Sequence, residues 1–255
     1  MATTLNTEEL EGRVKQMYRD VAEEPDREYH FELGRPLADR LGYPNGTLDR
    51  VPEGAVESFA GVGYFFDLAG LEPGETVVDL GSGSGMDVFF AAIEVGEAGK
   101  VVGIDFTAEQ LAKARGLADA AGIDHVEFRA GRIEELPADA ESVDCVISNG
   151  VINLSPEKDR VFAEVARVLR PGGRLALADI VSEQQLTESI VCDASLWASC
   201  IGGAAQQDAY RDAIESAGLR IDDLRTNPYE FISERAQNAS SKYGVKSVSL
   251  VARKT

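Results

Sequence analysis

Three glycines at alternate positions follow an acidic residue where a run of apolar residues ends. The segment Asp79–Gly85 reads Asp-Leu-Gly-Ser-Gly-Ser-Gly, and the run Thr76–Leu80 is typical of a buried strand. Glycines allow a backbone to approach a ligand closely. The dinucleotide fingerprint Gly-x-Gly-x-x-Gly/Ala fails because its sixth position is Met86. The loop therefore favours a cofactor with positive charge near the acid; a dinucleotide loop and a purely structural turn are the alternatives.

A second acidic residue, Asp105, closes the next apolar run, about 20 residues beyond the glycines. A carboxylate at the end of a second strand can accept hydrogen bonds from both hydroxyls of a ribose. Asp105 can instead cap the following helix, but Thr107 is able to do so unaided. We therefore expect Asp105 to bind the ribose of a cofactor, with its neighbour Phe106 lining the same site.

The elements that must position these residues alternate between strand and helix. Apolar runs predict strands at residues 76–80, 100–105, 126–129, 142–148, 174–181, 221–226 and 245–253. A capping box, in which Gln110 occupies the required position, predicts that a helix begins at Thr107. The predicted fold is α/β and Rossmann-like, with a seven-stranded, mostly parallel sheet and helices on both faces. Ligands of such sheets bind beyond the carboxyl ends of the strands.

The first part of the chain lacks this alternation. A first helix is expected over Thr7–Ala22, capped by its threonine, and a short helix around Val56–Leu68, with glycines and prolines between them. We therefore predict an N-terminal helical lid or cap segment at residues 1–70 and a cofactor-binding domain at residues 71–255. Within that domain, a cap insertion is expected at about residues 182–206.

The composition restricts the classes of partner. The formal net charge is −19 and the isoelectric point is about 4.5, so the surface repels the phosphates of nucleic acids and anionic lipids. No apolar run approaches the ~20 residues that span a bilayer, and no secretory signal is visible. We expect a soluble, cytoplasmic protein that binds neither nucleic acid nor membrane. The sequence does not indicate the oligomeric state.

The cysteines and histidines are too few and too scattered for a zinc framework, so no metal site is predicted. They are Cys145, Cys192, Cys200, His30 and His125. His125 precedes the third strand, at the wrong end of the sheet for catalysis. His30 reaches the site only if the N-terminal segment folds over it. No catalytic residue is therefore assigned.

Several segments resemble the arsenite methyltransferases, a branch of the class I S-adenosylmethionine (SAM)-dependent methyltransferases. They are Asp79–Gly85, Gly103–Thr107, Gly131–Pro137, Ile147–Ser155 and Val168–Leu175. The similarity covers roughly residues 50–205 and touches the N-terminal helix. The resemblance implies the class I methyltransferase fold, SAM as cofactor and S-adenosylhomocysteine as product.

The resemblance also implies a set of cofactor-binding residues. They are Tyr18, Asp79, Gly81, Ser82, Gly83, Gly85, Asp105, Phe106, Arg132, Ile133 and Asn149. Arg132 departs from the family, which often has an acid there against the adenine, so its contact would be through backbone or stacking. Tyr18 resembles a tyrosine of the family's lid, although it can also pack on the sheet edge. Asn149 can hold the amino-acid end of the cofactor, hold the substrate, or serve as a turn residue.

The family's chemistry depends on three thiolates that bind trivalent arsenic, a soft, thiophilic ion. Two of those cysteines are absent, because Gly150 and Val62 stand in their places, and Cys200 matches the third. Cys145 is expected in the core. Cys192 can pair with Cys200 around a metalloid, but two thiols packed under a cap are favoured. Gly150 is expected to leave space for a bulkier organic acceptor.

These observations favour a small-molecule methyltransferase whose acceptor differs from arsenite. Its predicted substrate-side residues are Asn153, Trp197 and Cys200, besides Asn149; a lone tryptophan can equally pack on the core. Alternatives are an arsenite or metalloid methyltransferase that uses external thiols such as glutathione, a quinone or natural-product C- or O-methyltransferase, and a SAM-binding sensor without turnover. An NAD-dependent reductase is the weakest candidate because Met86 breaks the fingerprint.

Overall fold

The computed structural model describes residues 6–191, 197 and 201–255. The α-helices are α1 (Thr7–Glu23), α2 (Gly34–Leu41), α3 (Asn45–Leu48), α4 (Glu53–Glu57), α5 (Phe66–Ala69), α6 (Met86–Val95), α7 (Ala108–Ala121), α8 (Lys158–Val168), α9 (Glu188–Val191), α10 (Gln207–Ser216) and α11 (Glu234–Tyr243). A 3₁₀ turn covers Ile152–Leu154. None of these helices is long and apolar enough to cross a membrane.

The strands form one mixed sheet. They are β1 (Thr76–Leu80), β2 (Lys100–Asp105), β3 (Val126–Ala130), β4 (Val143–Asn149), β5 (Leu169–Ser182), β6 (Ala205–Gln206), β7 (Leu219–Thr226) and β8 (Lys246–Lys254). Their order is β3-β2-β1-β4-β5-β8-β7, with the short β6 paired to β5. Among the described strands, β8 pairs antiparallel with β5 on one side and with β7 on the other. The other pairs are parallel. The predicted α/β fold is confirmed, with β6 as an eighth strand.

The strand order brings the predicted ligand loops to one edge. It reverses beside β1, which pairs in parallel with β2 on one side and with β4 on the other. A crevice at such a switch point is where ligands bind in open α/β sheets. The apolar side chains of the two faces form separate cores, which explains why these strands read as almost continuous apolar runs.

Several local predictions were wrong. The first helix is capped by Asn6, whose side chain accepts from the Glu9 N–H, and not by Thr7. The helix expected at Val56–Leu68 is replaced by α4 and α5. Between them lies an irregular segment that contains Gly61 and Gly63, two residues that disfavour a helix.

The C-terminal part also differs from the prediction. The helix α11, which was not predicted, is bounded by the side chain of Ser233 at its start and by left-handed Gly244 at its end. Opposite the start of β5, the pairing register of β4 shifts between Val143 and Cys145. This irregularity accommodates Pro171–Gly173, which was expected to be a turn before the strand.

Candidate active site

A continuous cleft lies at the carboxyl edge of the sheet. Its inner cavity is lined by the glycine loop together with Asp79, Asp87 and Asn149; its outer cavity lies between α1 and the loop at Arg132–Glu134. The two cavities share Val14, Gly81, Asp105, Phe106, Val151 and Leu154. Asp105 thus lies where the two cavities meet.

The glycine loop closes tightly over the end of β2. The N–H groups of Gly81 and Ser82 both donate to the carbonyl of Ile104, at 2.8 and 3.0 Å. Gly81 has a φ of +68° and Gly83 a φ of +52°, a region that residues with a Cβ rarely adopt. The buried hydroxyl of Ser82 has no hydrogen-bond partner among the described residues. This hydroxyl lies against Gly103 of β2, so the glycine loop lines the inner cavity mainly with its backbone.

Gly85 has a different environment. It has a φ of +93°, and a Cβ at this position would lie 2.8 Å from the ring of Phe128. It is absent from the described residues that line either cavity. Position 85 therefore requires glycine because of close packing at the start of α6.

Asp105 is almost fully buried, and its carboxylate accepts hydrogen bonds from neighbouring loop residues. Its Oδ2 accepts from the Gly83 N–H at 3.0 Å and its Oδ1 from the Thr107 N–H at 2.7 Å. Burial raises the pKa of this carboxyl, although these bonds and further hydrogen bonds from Thr107 and Phe106 oppose the shift. The carboxylate is therefore fixed in a residue that lines both cavities.

The helix that follows Asp105 is not capped as predicted. The side chain of Thr107 makes no capping hydrogen bond. Gln110 is buried, and its Oε1 accepts from Ser84 Oγ at 2.5 Å while its Nε2 donates to the carbonyl of Tyr18 at 2.7 Å. Gln110 therefore links the glycine loop to α1 in place of closing a capping box.

The inner cavity is strongly acidic. Asp79, Asp87 and Asp105 all line it, and no lysine, arginine or histidine occurs among its described lining residues. Burial raises the pKa of Asp79 well above its ordinary value, and the charges of Asp87 and Asp105 raise it further. Burial also raises the pKa of Asp87 to about 6, against hydrogen bonds from Tyr43 and Asn149. A ligand with positive charge would stabilise these carboxylates in their ionised form.

Asn149 lines the inner cavity, but its amide is fully engaged within the chain. Its Oδ1 accepts from the N–H groups of Val62 at 2.7 Å and Gly63 at 3.3 Å. The two hydrogens of its Nδ2 are shared among three acceptors, the Tyr43 hydroxyl, the Gly63 carbonyl and Asp87 Oδ2, at 2.9–3.1 Å. Asn149 therefore joins the end of β4 to the segment before β1.

The outer cavity contains the residues predicted near the adenine. Ile133 is buried on its wall, and Phe106 lines both cavities. The Lys15 Nζ lies 5.0 Å from the centroid of the Phe106 ring. Arg132 Nη1 donates to Glu11 Oε2 of α1 at 2.8 Å. Tyr18 of α1 contributes to the wall of the inner cavity, so α1 closes the cleft at both ends.

Replacement of Arg132 by alanine is expected to have a small effect. Its guanidinium is half exposed and paired with Glu11, and an exposed ion pair contributes less than about 1 kcal/mol to the free energy of unfolding. We expect R132A to change the Kd for SAM by less than about threefold, and E11Q to behave alike. Isothermal titration of both variants checks this; a tenfold loss in R132A alone would assign the side chain to the cofactor.

Two predicted substrate-side residues support the loop after β4. Asn153 is fully buried, and its Nδ2 donates to the Gly150 carbonyl at 2.9 Å and to Asp179 Oδ1 at 2.7 Å. The Trp197 indole donates to the Val191 carbonyl and lies beneath the Lys158 ammonium, 4.9 Å away. Neither residue is among the described lining residues of the cleft. Cys192 and Cys200 lie outside the described residues.

The two positions at which the family has cysteines lie beside each other. A Cβ built on Gly150 would lie 3.2 Å from Cγ1 of Val62, which is itself buried. The space expected beside Gly150 is therefore occupied in part by the Val62 side chain. Cys145 is buried inside β4, where burial raises the pKa of its thiol to about 12.

Comparisons with known proteins identify the family of the chain. Residues 71–218 match the family model described as a methyltransferase domain. An arsenite methyltransferase of Halobacterium salinarum is 42% identical over 199 residues, which cover 77% of this chain and 51% of that protein. A ubiquinone/menaquinone biosynthesis C-methyltransferase of Hahella chejuensis is 33% identical over 62% of this chain and 66% of that protein. The chain spans about half the length of several arsenite methyltransferases that it matches, or less.

Solved structures give the same result. An arsenic(III) S-adenosylmethionine methyltransferase from Chlamydomonas reinhardtii superposes with a TM-score of 0.65 at 29% identity, covering 88% of this chain and 74% of that one. A geranyl diphosphate methyltransferase solved with SAM has a TM-score of 0.64, but its 20% identity supports the fold alone. That alignment covers 89% of this chain and 98% of that one.

Proposed function

The chain belongs to the SAM-dependent methyltransferases, and from this premise we propose that it transfers a methyl group to a small organic acceptor other than arsenite. The observation that carries the proposal is the pairing of Val62 with Gly150. The resemblance to the arsenite methyltransferases implies two of that family's three thiolates at these adjacent positions, and neither valine nor glycine can bind a metalloid.

The residues of the cleft fit the cofactor. Asp79 and Asp87 offer negative charge to its cationic end, Asp105 offers a carboxylate to the ribose hydroxyls, and Ile133 and Phe106 offer apolar surface to the adenine. When bound, SAM supplies an electrophilic methyl group on a sulfonium. We assign residues 1–70 as the lid of this site, of which α1 forms the outer wall.

The protein's part in the reaction is to orient and to exclude water. Methyl transfer is an in-line displacement, so its rate depends on alignment of acceptor and methyl group. Gly150, Val151 and Leu154 line the inner cavity, as do Ala60 and Gly61 of the segment before β1. None of these residues has a polar side chain, which suits a carbon or oxygen nucleophile on an organic molecule. The C-methyltransferase of Hahella chejuensis supports such an acceptor.

A second candidate is methylation of arsenite bound partly by external thiols. It is supported by the relatives named arsenite methyltransferases and by Cys200, the remaining match to the family's cysteines. Three sulfur ligands suit trivalent arsenic, so at least two would have to come from a thiol such as glutathione.

An assay of S-adenosylhomocysteine release separates the two candidates. We expect purified protein with SAM, arsenite and glutathione to release no more product than the control without arsenite. The reason is that Val62 and Gly150 supply no sulfur at two of the three positions that would bind arsenic. SAM binding must be verified in the same sample by isothermal titration, so that inactivity cannot reflect loss of the cofactor site.

The result also directs the next step. Turnover that requires arsenite and glutathione together would overturn the proposal and establish the second candidate. Absence of such turnover, with SAM bound, leads to a screen of phenols, quinols and prenyl compounds as acceptors. The Halobacterium relative provides a parallel reaction in which the same reagents can be tested.

A further inference from the structure

Asp87 is a buried carboxylate that no sequence pattern had singled out. It lies in the first turn of α6, directly after the glycine loop, and lines the inner cavity. Its Oδ1 accepts from the Tyr43 hydroxyl at 2.7 Å and its Oδ2 from Asn149 Nδ2 at 2.9 Å. Both donors are neutral. The carboxylate is thus held in one orientation by two elements far apart in the chain.

The groups that face Asp87 do not neutralise it. Tyr43 comes from the segment after α2, and burial beside Asp87 raises its pKa well above the ordinary value. Asp79 of β1 is a second buried carboxyl, and Asp105 of β2 adds a third negative group next to Asp79. The described residues contribute no cation to this cavity wall. Buried charges without a partner are costly and are commonly retained for function.

We propose that Asp87 is a positioning residue of the cofactor site, whose carboxylate is fixed by Tyr43 and Asn149 and holds the positively charged end of SAM together with Asp79. The proposal concerns the cofactor alone. It does not depend on the identity of the acceptor, so its failure would leave the proposed function untouched.

A carboxylate that binds the cofactor through its charge and one that only supports the fold should respond differently to substitution. Asparagine at position 87 keeps the shape and one acceptor while it removes the charge. The protein without ligand should therefore be more stable in D87N than in wild type at pH 7.5, where wild-type Asp87 is ionised. If Asp87 served only to hold Tyr43 and Asn149, the same substitution would destabilise the fold.

The stability of the protein and its affinity for SAM should both change with pH in a direction set by the pKa of Asp87. The pKa of Asp87 is raised to about 6 in the folded protein, so ionisation of this group opposes folding as pH rises through that value. A cationic ligand favours the ionised form, and the Kd for SAM should therefore fall between pH 5 and pH 7.5 and then level off. The residual pH dependence of D87N should be clearly smaller, with Asp79 and Asp105 as the remaining buried carboxyls of the cavity.

The experiment measures Kd by isothermal titration for SAM, which carries a sulfonium and an ammonium, and for S-adenosylhomocysteine, which keeps the ammonium but lacks the sulfonium. We expect D87N to weaken SAM binding by about tenfold and S-adenosylhomocysteine binding by clearly less, because the second ligand has one of the two positive charges. The matched control is Asp212→Asn, the same change on the exposed face of α10, which should leave both values unchanged.

A second variant keeps the test decisive if D87N folds poorly. Tyr43→Phe removes one hydrogen bond to the ionised carboxylate, so the midpoint of the pH profile for SAM should move to higher pH while affinity above it is retained. Equal losses for both ligands together with a lowered melting temperature in D87N would overturn the proposal. So would an unchanged SAM affinity, or an unshifted profile in Y43F.

Discussion

Asp105→Ala should weaken SAM binding by about two orders of magnitude, because two hydrogen bonds from a carboxylate to ribose hydroxyls contribute about 1.5 kcal/mol each. The variant also loses the acceptor for the N–H groups of Gly83 and Thr107, so the glycine loop keeps its bonds to the Ile104 carbonyl but loses its bond to the side chain at the end of β2. Isothermal titration with SAM and with S-adenosylhomocysteine measures the effect. Both ligands contain the ribose and should be weakened alike.

The controls separate ribose binding from loop support. Asp119→Ala removes an exposed carboxylate from α7 and should leave the Kd for both ligands unchanged. Asp105→Asn keeps one acceptor oxygen and should lie between wild type and D105A. Wild-type affinity in D105A would show that the carboxylate does not bind the ribose.

The substitution Gly81→Ala should both destabilise the protein and abolish cofactor binding. A Cβ at this position would lie 2.6 Å from a methyl carbon of Val151, and the φ of +68° is unfavourable for alanine. Overpacking and left-handed backbone together should lower the free energy of unfolding by about 2–4 kcal/mol. Urea denaturation measures the loss, and titration with SAM at low temperature measures binding in the folded fraction.

A double variant divides the two causes. In G81A/V151A the contacts with the two methyl carbons of Val151 are removed, while the Cβ of residue 151 stays 2.7 Å from the added Cβ, so the variant should recover only part of the lost stability. Gly116→Ala is the matched control, since this helical glycine in α7 has nothing within 4 Å of its Cβ position. It should stabilise the protein by up to about 1 kcal/mol. No rescue by V151A would show that the loop tolerates no side chain at position 81 for another reason.

The sheet could be predicted because most of its strands are recognisable from their local sequence alone. In β1, β2 and β4 nearly every residue is buried, so the apolar runs appear in the sequence without interruption. Polar residues at the ends of these runs then predicted the cleft, since parallel strands end at a common edge. The helix α11 also had a signal in Ser233 and Gly244, although its sequence contains few apolar residues to reveal a buried face.

The roles of Tyr43, Asp87 and Gln110 could not be predicted in the same way. Tyr43 is 44 residues from Asp87, and Gln110 is 92 residues from Tyr18, so no local pattern relates them. Gln110 matched a capping box, and tertiary packing gave it different partners. Asn149 was predicted at the site, but its five hydrogen bonds within the chain became visible only once the segment before β1 had been placed.

The attachment of α1 has a consequence for the order in which the chain folds. Three hydrogen bonds tie this helix to partners 91 to 121 residues further along, from Gln110, Lys113 and Arg132. Contacts of such long sequence separation close only after the intervening strands have paired. We therefore expect α1 to dock last and to undock first. Its amide hydrogens should exchange with solvent sooner than those of β1 and β4, and more slowly once a ligand fills the cleft beneath it.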